Sequence, residues 1–421
     1  MTVTWETKEL GEVAYLAGRI GWKGLTAKEY TTSGPLFTSV HSLNHGDYVD
    51  FSEAFHITQE RYEESPEIML ESDDILICKD GAGIGKVGIV GKLPGPATIN
   101  SSLLLIRAAK GVHPKFLYYD LCSPSFQKIV QDKIDGATTP HLYQREIRQF
   151  PIPIPPLPEQ KRIVAILDDA FAGIAAATAN VEKNLANARE LFETHLNSTF
   201  DVAPDHWTQK PMRSLVQIKH GFAFKSEYFT DAGSYVLLTP GNFYEGGGYR
   251  DRGGKQKFYV GEVPDGFVLG KGAFLIAMTE QAPGLLGSSI IVPESDKFLH
   301  NQRLGLVCVR PGAPWCNEFF FHAFNTRRFR LAVHDGASGV KVRHTSPDKL
   351  GLVEVSFPES IKEQQSIAEN LDALLDETRR LAGIYNQKLL RLAELKQAIL
   401  QKAFSGELTG LPEEALQEAA A

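Results

Sequence analysis

The chain has 421 residues, 43% of them hydrophobic, and a net charge of −7, which predicts two to four ordinary globular domains. The charge excludes a uniformly basic nucleic-acid-binding protein, so any DNA contact must come from local patches. Four scattered cysteines without a CxxC pair, no secretory signal and no unbroken apolar run of about 18 residues predict a cytoplasmic protein without disulfides, zinc or a membrane span.

The first region, residues 1–155, is predicted to be a β-rich domain. Its short runs of Val, Ile, Leu and Phe are broken by Gly, Pro, Asn and Asp, as in strands separated by turns. One segment, Gly83–Gly88, has the GxGxxG spacing of a dinucleotide loop, which requires a strand before it and a helix after it. A strand pattern follows here, so the glycines predict a tight connection between strands.

A long helix is predicted next, over residues 156–200. It begins with the sequence PLPEQKRIVAILD, in which prolines precede an acidic first turn and an apolar helix. Apolar residues at alternating spacings of four and three form a seam typical of helix pairing. The predicted packing positions are Ile163, Leu167, Ile174 and Val181. The adjacent Asp168 and Asp169 are interpreted as solvated carboxylates, not as an acid–base pair.

The second half of the chain repeats the first after about 200 residues. Glu159-Gln160 corresponds to Glu363-Gln364, and Asn100 to Asn301. The repeat predicts a second β-rich domain over 201–358, a second long helix over 359–410 and a tail over 411–421. The seam of the second helix comprises Leu371, Leu374, Leu381, Tyr385, Leu392 and Ile399.

Two packing arrangements are open to these helices. Each helix could pack on its own domain, or the two could pack on each other. A helix of about 40 residues is about 60 Å long, too long to bury its apolar stripe in one small domain. The predicted fold is therefore α+β, with two β-rich domains separated by two long antiparallel spacer helices in a pseudo-twofold internal repeat.

Basic and aromatic residues alternate in both β-rich domains, as expected of side chains that contact phosphates and base edges. Any one of them could be an ordinary solvated charge, but their recurrence in both halves favours a binding role. The candidate DNA-binding residues are Arg19, Trp22, Lys23, Lys79, Lys86, His141, Tyr143 and Arg145 in the first domain, and Lys219, Phe222, Lys225, Arg250, Arg303, Lys341, Arg343 and His344 in the second.

Sequence signatures of catalysis are missing. The chain has no NPPY-type methyltransferase tetrapeptide, no GxSxG and no nuclease pattern of Asp followed by Glu-x-Lys. No catalytic residue and no metal ligand are therefore predicted.

Several segments resemble the specificity subunit of type I restriction–modification systems, and the resemblance covers essentially the whole chain. The second helix departs from the pattern, because FPESIKEQQ replaces PLPEQ with one proline fewer and inserted residues. The segments that carry the resemblance are GRIGWKGLTAKEY from Gly18, GATTPHLYQREIRQFPIPIPPLPEQKRIVAILD from Gly136, IKHGFAFKSEYF from Ile218, LLTPGNFYEGGG from Leu237 and LKQAILQKAFSGELT from Leu395.

The resemblance implies two target-recognition domains, each reading one half of a split, asymmetric site in double-stranded DNA. It also implies that the helices dock two methyltransferase subunits, which hold S-adenosylmethionine, and that a separate restriction subunit uses ATP and Mg. No cofactor is expected on this chain. Two alternatives remain: a protein-binding scaffold with β-rich binding domains, and a methyltransferase or nuclease with fused specificity domains.

Overall fold

The chain forms two compact units, one of Met1–Glu182 with Gln387–Ala421 and the other of Lys183–Asn386. We call them unit 1 and unit 2. Each unit combines a β-rich region with part of both long helices, whereas the sequence prediction separates helices from domains. The computed structural model describes residues 5–19, 25–134, 141–281, 283–339 and 341–408.

In unit 1, the central sheet is antiparallel with the order β2-β8-β5-β6. The described strands are β1 (Glu6–Glu9), β2 (Ala14–Ala17), β3 (Thr31–Thr38), β4 (Phe55–His56), β5 (Ile75–Cys78), β6 (Val87–Ile89), β7 (Ala97–Ile99), β8 (Leu103–Ala108) and β9 (Pro151–Ile154). The helices that begin in this unit are α1 (Leu10–Val13), α2 (Gln59–Glu63), α3 (Pro114–Leu121), α4 (Pro124–Ile134), α5 (Gln144–Ile147) and α6 (Leu157–Asp201).

In unit 2, the central sheet is antiparallel with the order β11-β20-β16-β18. The described strands are β10 (Thr208–Pro211), β11 (Val216–His220), β12 (Phe229–Thr230), β13 (Tyr235–Leu237), β14 (Phe258–Tyr259), β15 (Val268–Leu269), β16 (Phe274–Ala277), β17 (Thr279–Glu280), β18 (Ser289–Ile291), β19 (Phe298–Leu299), β20 (Leu304–Val309), β21 (Arg343–His344) and β22 (Glu354–Phe357). The helices are α7 (Asn317–Phe324), α8 (Arg327–Asp335), α9 (Pro347–Gly351) and α10 (Ile361–Phe404).

The two units share the topology of their central four-stranded sheets, which confirms the internal repeat. The antiparallel pair β1–β9 corresponds to β10–β22, and the parallel pair β3–β7 to β13–β19. The central strands β5 and β16 are buried at every residue, as their unbroken apolar runs ILIC and FLIA require. The predicted α+β class with two long helices is confirmed.

Both long helices contribute to the hydrophobic core of unit 1. Leu167 and Phe171 of α6 and Leu400 of α10 belong to this core. The ring of Phe404 lies 5.2 Å from that of Phe116 in α3. The start of α6 and the end of α10 therefore complete the same core.

Unit 2 uses the opposite ends of the same helices. Phe200 near the end of α6 and Leu371 near the start of α10 are buried in its core. The ring of Phe200 lies 5.2 Å from that of Phe319 in α7. The chain thus passes from unit 1 to unit 2 through α6 and returns to unit 1 through α10.

Among the predicted seam residues, only those near the helix ends are fully buried. Ile163, Leu167 and Leu371 are buried. The remaining positions, Ile174, Val181, Leu374, Leu381, Tyr385, Leu392 and Ile399, are half-buried. The periodicity alone did not identify Phe171, Phe200 and Leu400, which carry the helices into the two cores.

A buried glutamine fixes the start of α6 in unit 1. Gln160 is 0% exposed. Its Oε1 accepts the backbone N–H of His113, the residue before α3, at 2.7 Å, and its Nε2 donates to the carbonyl of Pro155 at 2.8 Å and to that of Gly111 at 3.3 Å. One side chain thus joins the proline segment, the helix and the first turn of α3.

Gln364 makes the equivalent contacts at the start of α10. It is also 0% exposed. Its Oε1 accepts the N–H of Cys316 at 2.9 Å, and its Nε2 donates to the carbonyls of Pro358 at 2.7 Å and Pro314 at 3.1 Å. The altered sequence FPESIKEQQ therefore preserves the geometry, with one more residue between the proline carbonyl and the glutamine.

The interpretation of Asp168 as a solvated carboxylate is wrong. Its Oδ1 accepts the Tyr119 hydroxyl at 2.5 Å, and its Oδ2 accepts the Lys115 ammonium at 2.9 Å. In unit 2, Asp372 accepts a hydrogen bond from Nε2 of the buried His322 at 2.7 Å. These aspartates join each long helix to the helix that follows the central sheet.

The sequence argument against a membrane span considered only unbroken apolar runs. By length and composition, α6 contains an 18-residue window with a mean hydropathy of 1.4 that could cross a membrane. In the structure, Ile163, Leu167 and Phe171 of this helix pack into the core of unit 1. A core helix gives the same signal, so this single window is weak support for a span.

Replacing Gln364 with leucine should destabilise unit 2. The substitution leaves one buried N–H and two buried carbonyls without partners, which should cost about 2–4 kcal/mol of unfolding free energy. Urea unfolding followed by the fluorescence of Trp207 and Trp315 measures this. The control Gln365→Leu, at an exposed neighbour, should change the free energy by less than about 0.5 kcal/mol; equal losses in both variants would contradict the anchoring role.

Candidate DNA interface

Three segments of unit 1 meet where β5 ends. The N–H of Lys79 donates to the carbonyl of Ser102 at 2.9 Å, and the N–H of Leu142 donates to the carbonyl of Lys79 at 2.9 Å. The end of β5, the turn before β8 and the segment before α5 are thereby held together. We call this meeting point the strand-end junction.

Predicted DNA-binding residues gather at the junction of unit 1, around Asp80. The Asp80 carboxylate accepts the Lys79 ammonium at 2.6 Å and contacts Nδ1 of His141. The rings of His141 and Tyr143 are edge to face at 4.4 Å, and the Arg145 guanidinium lies 5.1 Å from the Tyr143 ring centre. Two cations, an imidazole and an exposed aromatic ring therefore form one cluster.

The glycine-rich segment after Asp80 is a tight connection between β5 and β6, as predicted. The N–H of Gly85 donates to the carbonyl of Cys78 at 2.9 Å, and Gly81 and Gly85 have φ of 81° and 85°, which favours glycine. The connection carries the exposed Lys86, whose ammonium donates to Asn44 Oδ1 at 2.6 Å. Since a strand follows it, the segment lacks the helix that binds a dinucleotide.

The strand-end junction recurs in unit 2. The N–H of Met278 donates to the carbonyl of Arg303, and the N–H of Thr345 to the carbonyl of Met278, both at 2.9 Å. The short strands β17 and β21 pair beside it, with Thr279 opposite His344. Arg303, Arg343 and His344 therefore meet at the same end of the sheet as the cluster in unit 1, with the exposed Lys341 nearby in sequence.

Two acidic side chains and one histidine at the junctions were not predicted: Asp80, Glu280 and His334. Glu280 is 4% exposed, and its carboxylate contacts His334 Nε2 at 3.2 Å. His334 in turn contacts Arg343. The repeat offered a sequence signal for Asp80 and Glu280, since an acidic residue follows the central strand in each half. No sequence signal pointed to His334, because only the fold places its helix beside β17.

The structure assigns a packing role to two predicted DNA-binding residues. Arg19 is 4% exposed, and its guanidinium donates to the carbonyl of Ile99 at 3.1 Å and to Thr98 Oγ1 at 3.3 Å. The half-buried Phe222 packs its ring 5.1 Å from that of Phe224. Arg19 is therefore buried within unit 1, whereas Phe222 remains partly exposed.

The remaining predicted residues have varied surroundings. Lys219 is exposed on β11, Lys225 pairs with Glu227 at 3.7 Å, and the Arg250 guanidinium lies 6.0 Å from the ring centre of Tyr244. Trp22 and Lys23 lie outside the described residues.

The two junctions present hydrogen-bond donors suited to nucleic acid. Lys and Arg can neutralise phosphates, and Arg can also donate two hydrogen bonds to the edge of guanine. The described residues contain no group of three or more His, Cys, Asp or Glu that could hold a metal ion. Both junctions thus present donors, and the junction of unit 1 also presents the exposed ring of Tyr143.

Comparison with known sequences agrees with this picture. A family profile for the type I restriction modification DNA specificity domain matches residues 2–185. The EcoBI specificity subunit of Escherichia coli is 28% identical over 53% of this chain and 44% of its own length, so the match spans less than half of that relative. The MjaVIII specificity subunit of Methanocaldococcus jannaschii is 22% identical over 81% of this chain and 80% of its own.

Solved structures share the fold over almost the whole chain. A chain in a structure concerned with complex assembly and conformational transition of the type I R-M system gives a TM-score of 0.74 at 18% identity, covering 96% of this chain and 98% of its own. The HsdS subunit from Thermoanaerobacter tengcongensis gives 0.54 at 18% identity, covering 96% and 97%. The fold is thus shared with these two chains. In sequence, the first repeat of this chain matches the profile of the type I restriction modification DNA specificity domain, and the chain is similar to type I restriction enzyme specificity subunits.

Arg19 and Lys86 should give opposite results when replaced by alanine. Arg19→Ala removes two buried hydrogen bonds and should cost about 2 kcal/mol of unfolding free energy, without changing which DNA sequence the folded protein prefers. Lys86→Ala should keep the stability within about 0.5 kcal/mol and weaken DNA binding, with the salt slope reduced by about 1. Urea unfolding and DNA titrations at several salt concentrations measure both. A stable Arg19→Ala variant with lost DNA binding would contradict the packing role.

Proposed function

We propose that this chain is the DNA sequence-specificity subunit of a type I restriction–modification complex, and that each unit reads one half of a split site in double-stranded DNA. The observation that carries the proposal is the strand-end junction, which occurs twice with the same backbone hydrogen bonds. In both copies, basic side chains from segments that are distant in sequence come together at the junction. Two equivalent readers in one chain suit a target with two halves.

The side chains at the two junctions differ, which favours an asymmetric site. Where unit 1 has Lys79 and Ser102, unit 2 has Met278 and Arg303. Tyr143, the residue before α5, corresponds to Ser346, the residue before α9. Because a base is recognised through the donors and acceptors that face it, different side chains on one framework select different bases.

The long helices are proposed to dock two methyltransferase subunits. Large apolar side chains on them are exposed: Leu191 is 64%, Leu390 59% and Leu395 47% exposed. These side chains are available for a partner to cover. In this proposal the chain works in the cytoplasm and has no catalytic site, the methyltransferase subunits hold S-adenosylmethionine, and restriction subunits use ATP and Mg.

Mapping of methylated adenines in cells tests the proposal. Cells expressing this chain together with its neighbouring methyltransferase subunit should show a split, asymmetric methylation motif. Cells expressing either protein alone should show none. Methylation by this chain alone would reveal a catalytic site and support the fused-enzyme alternative, and no motif with both proteins would favour the protein-binding scaffold.

Deleting seven residues around Ala177 should shorten the gap between the two halves of the motif. At 1.5 Å per residue the deletion removes about 10 Å of helix, equivalent to about three base pairs at 34–36 Å per turn. Methylation mapping should show the shorter gap or no motif, because the helix sets the spacing. Ala176→Ser, at an exposed position of the same helix, is the control with unchanged length. An unchanged gap in the deletion variant would contradict the spacer role.

A further inference from the structure

The carboxylate of Glu280 organises the loop that follows β17. Its Oε2 accepts the backbone N–H groups of Gly284 at 3.1 Å, Leu285 at 3.1 Å and Leu286 at 2.9 Å. Glu280 is 4% exposed, so these hydrogen bonds compensate for burying its charge. The carboxylate thus satisfies three successive backbone N–H groups, those of residues 284–286.

The other carboxylate oxygen connects the loop to a predicted DNA-binding residue. Oε1 of Glu280 lies 3.2 Å from Nε2 of His334, and Nδ1 of His334 lies 2.7 Å from Nη1 of Arg343. A guanidinium can only donate, so Nδ1 must accept and the single imidazole proton sits on Nε2, where it donates to Glu280. Arg343, His334 and Glu280 thus form a directed chain of hydrogen bonds.

Arg330 holds the same loop from its carbonyl side. It donates to the carbonyls of Leu286 at 2.8 Å, Glu245 at 2.9 Å and Gly284. Burial lowers the pKa of Arg330 to about 10, against the opposing effect of Glu280 and Glu245, so the guanidinium remains charged at neutral pH. Both the N–H and the C=O groups of the loop are therefore hydrogen-bonded. Glu280, the first residue of the hydrogen-bond chain to Arg343, is held in place by this loop.

Arg343 itself is exposed on β21, where Glu280 is its pairing partner across the strands. An exposed arginine side chain loses conformational entropy when it binds a base, because several of its bonds can no longer rotate. This loss lowers the affinity and the selectivity for the base. A fixed hydrogen bond from Nη1 to His334 removes part of that freedom before DNA arrives. The other nitrogens of the guanidinium remain able to donate.

We propose that Glu280 and His334 are positioning residues that hold the guanidinium of Arg343 in one direction, so that Arg343 selects one base of the half-site read by unit 2. This inference rests on the proposed function of the chain. Neither positioning residue has to touch DNA, and both act through Arg343.

The test uses the chain together with its methyltransferase subunit and measures methylation at motif variants that differ by one base. Arg343→Ala should reduce discrimination at one position by about tenfold. His334→Ala should relax the same position to a similar extent, and the double variant should be no worse than Arg343→Ala alone, because both changes remove one interaction.

Conservative variants separate positioning from general destabilisation. His334→Gln should restore part of the discrimination, since the amide offers an acceptor to Arg343 and a donor to Glu280. Glu280→Gln should behave like His334→Ala. The single amide oxygen is needed by the three backbone N–H groups of the loop, so the amide nitrogen, which cannot accept a hydrogen bond, faces Nε2 of His334. Leu331→Ala, at a position 52% exposed on the same helix, is the matched control and should leave discrimination unchanged.

The outcomes distinguish this inference from the proposed function. Normal discrimination in His334→Ala, additive losses in the double variant, or no change in Arg343→Ala would each overturn the positioning role while the wild-type motif stands. A wild-type pair that yields no split motif would instead overturn the proposed function, and the inference with it.

Discussion

The rest of the structure depends on one buried amide side chain, used twice. Gln160 and Gln364 each lie at the start of a long helix, fully buried, with both ends of the amide bonded to backbone groups. Leaving a buried polar group unpaired would lower the free energy of unfolding. The start of each helix is therefore held in the position that keeps these hydrogen bonds. The aspartates about two turns further on, Asp168 and Asp372, add a second attachment to the same helices. The carbonyl that accepts from each amide belongs to a proline just before the helix, Pro155 or Pro358.

The strand-end junctions also use one type of contact in both units. Backbone hydrogen bonds hold the framework, with Lys79 joined to Ser102 and Leu142 in unit 1 and Met278 joined to Arg303 and Thr345 in unit 2. Because these hydrogen bonds join only main-chain groups, the side chains at the same positions can differ without breaking them. A framework that tolerates different side chains is well suited to recognition, since specificity can change without a change of fold.

The fold could be predicted from the sequence because its signals are periodic and repeated: the long helices follow from their apolar spacing, and the two halves from the corresponding Glu-Gln pairs. The site could be predicted only in part. His141, Tyr143 and Arg145 stand out as a short run, whereas the burial of Arg19 depends on Thr98 and Ile99, which lie far away in the chain. Composition cannot separate a buried arginine from an exposed one, and it cannot show that Glu280 and His334 meet through packing of α8 beside β17. The apolar contacts of Phe171 and Phe200 were missed for a similar reason, since a helical seam does not show which protein surface it faces.

The central claim is that the two units are equivalent readers on one framework, each responsible for half of the target. The most direct measurement replaces residues 5–154 with a second copy of residues 207–357, keeping both helices, and maps adenine methylation in cells that also contain the methyltransferase subunit. The claim predicts a motif whose two halves have become the same sequence, that of the half-site read by unit 2. A motif whose halves still differ as in the original chain would contradict it.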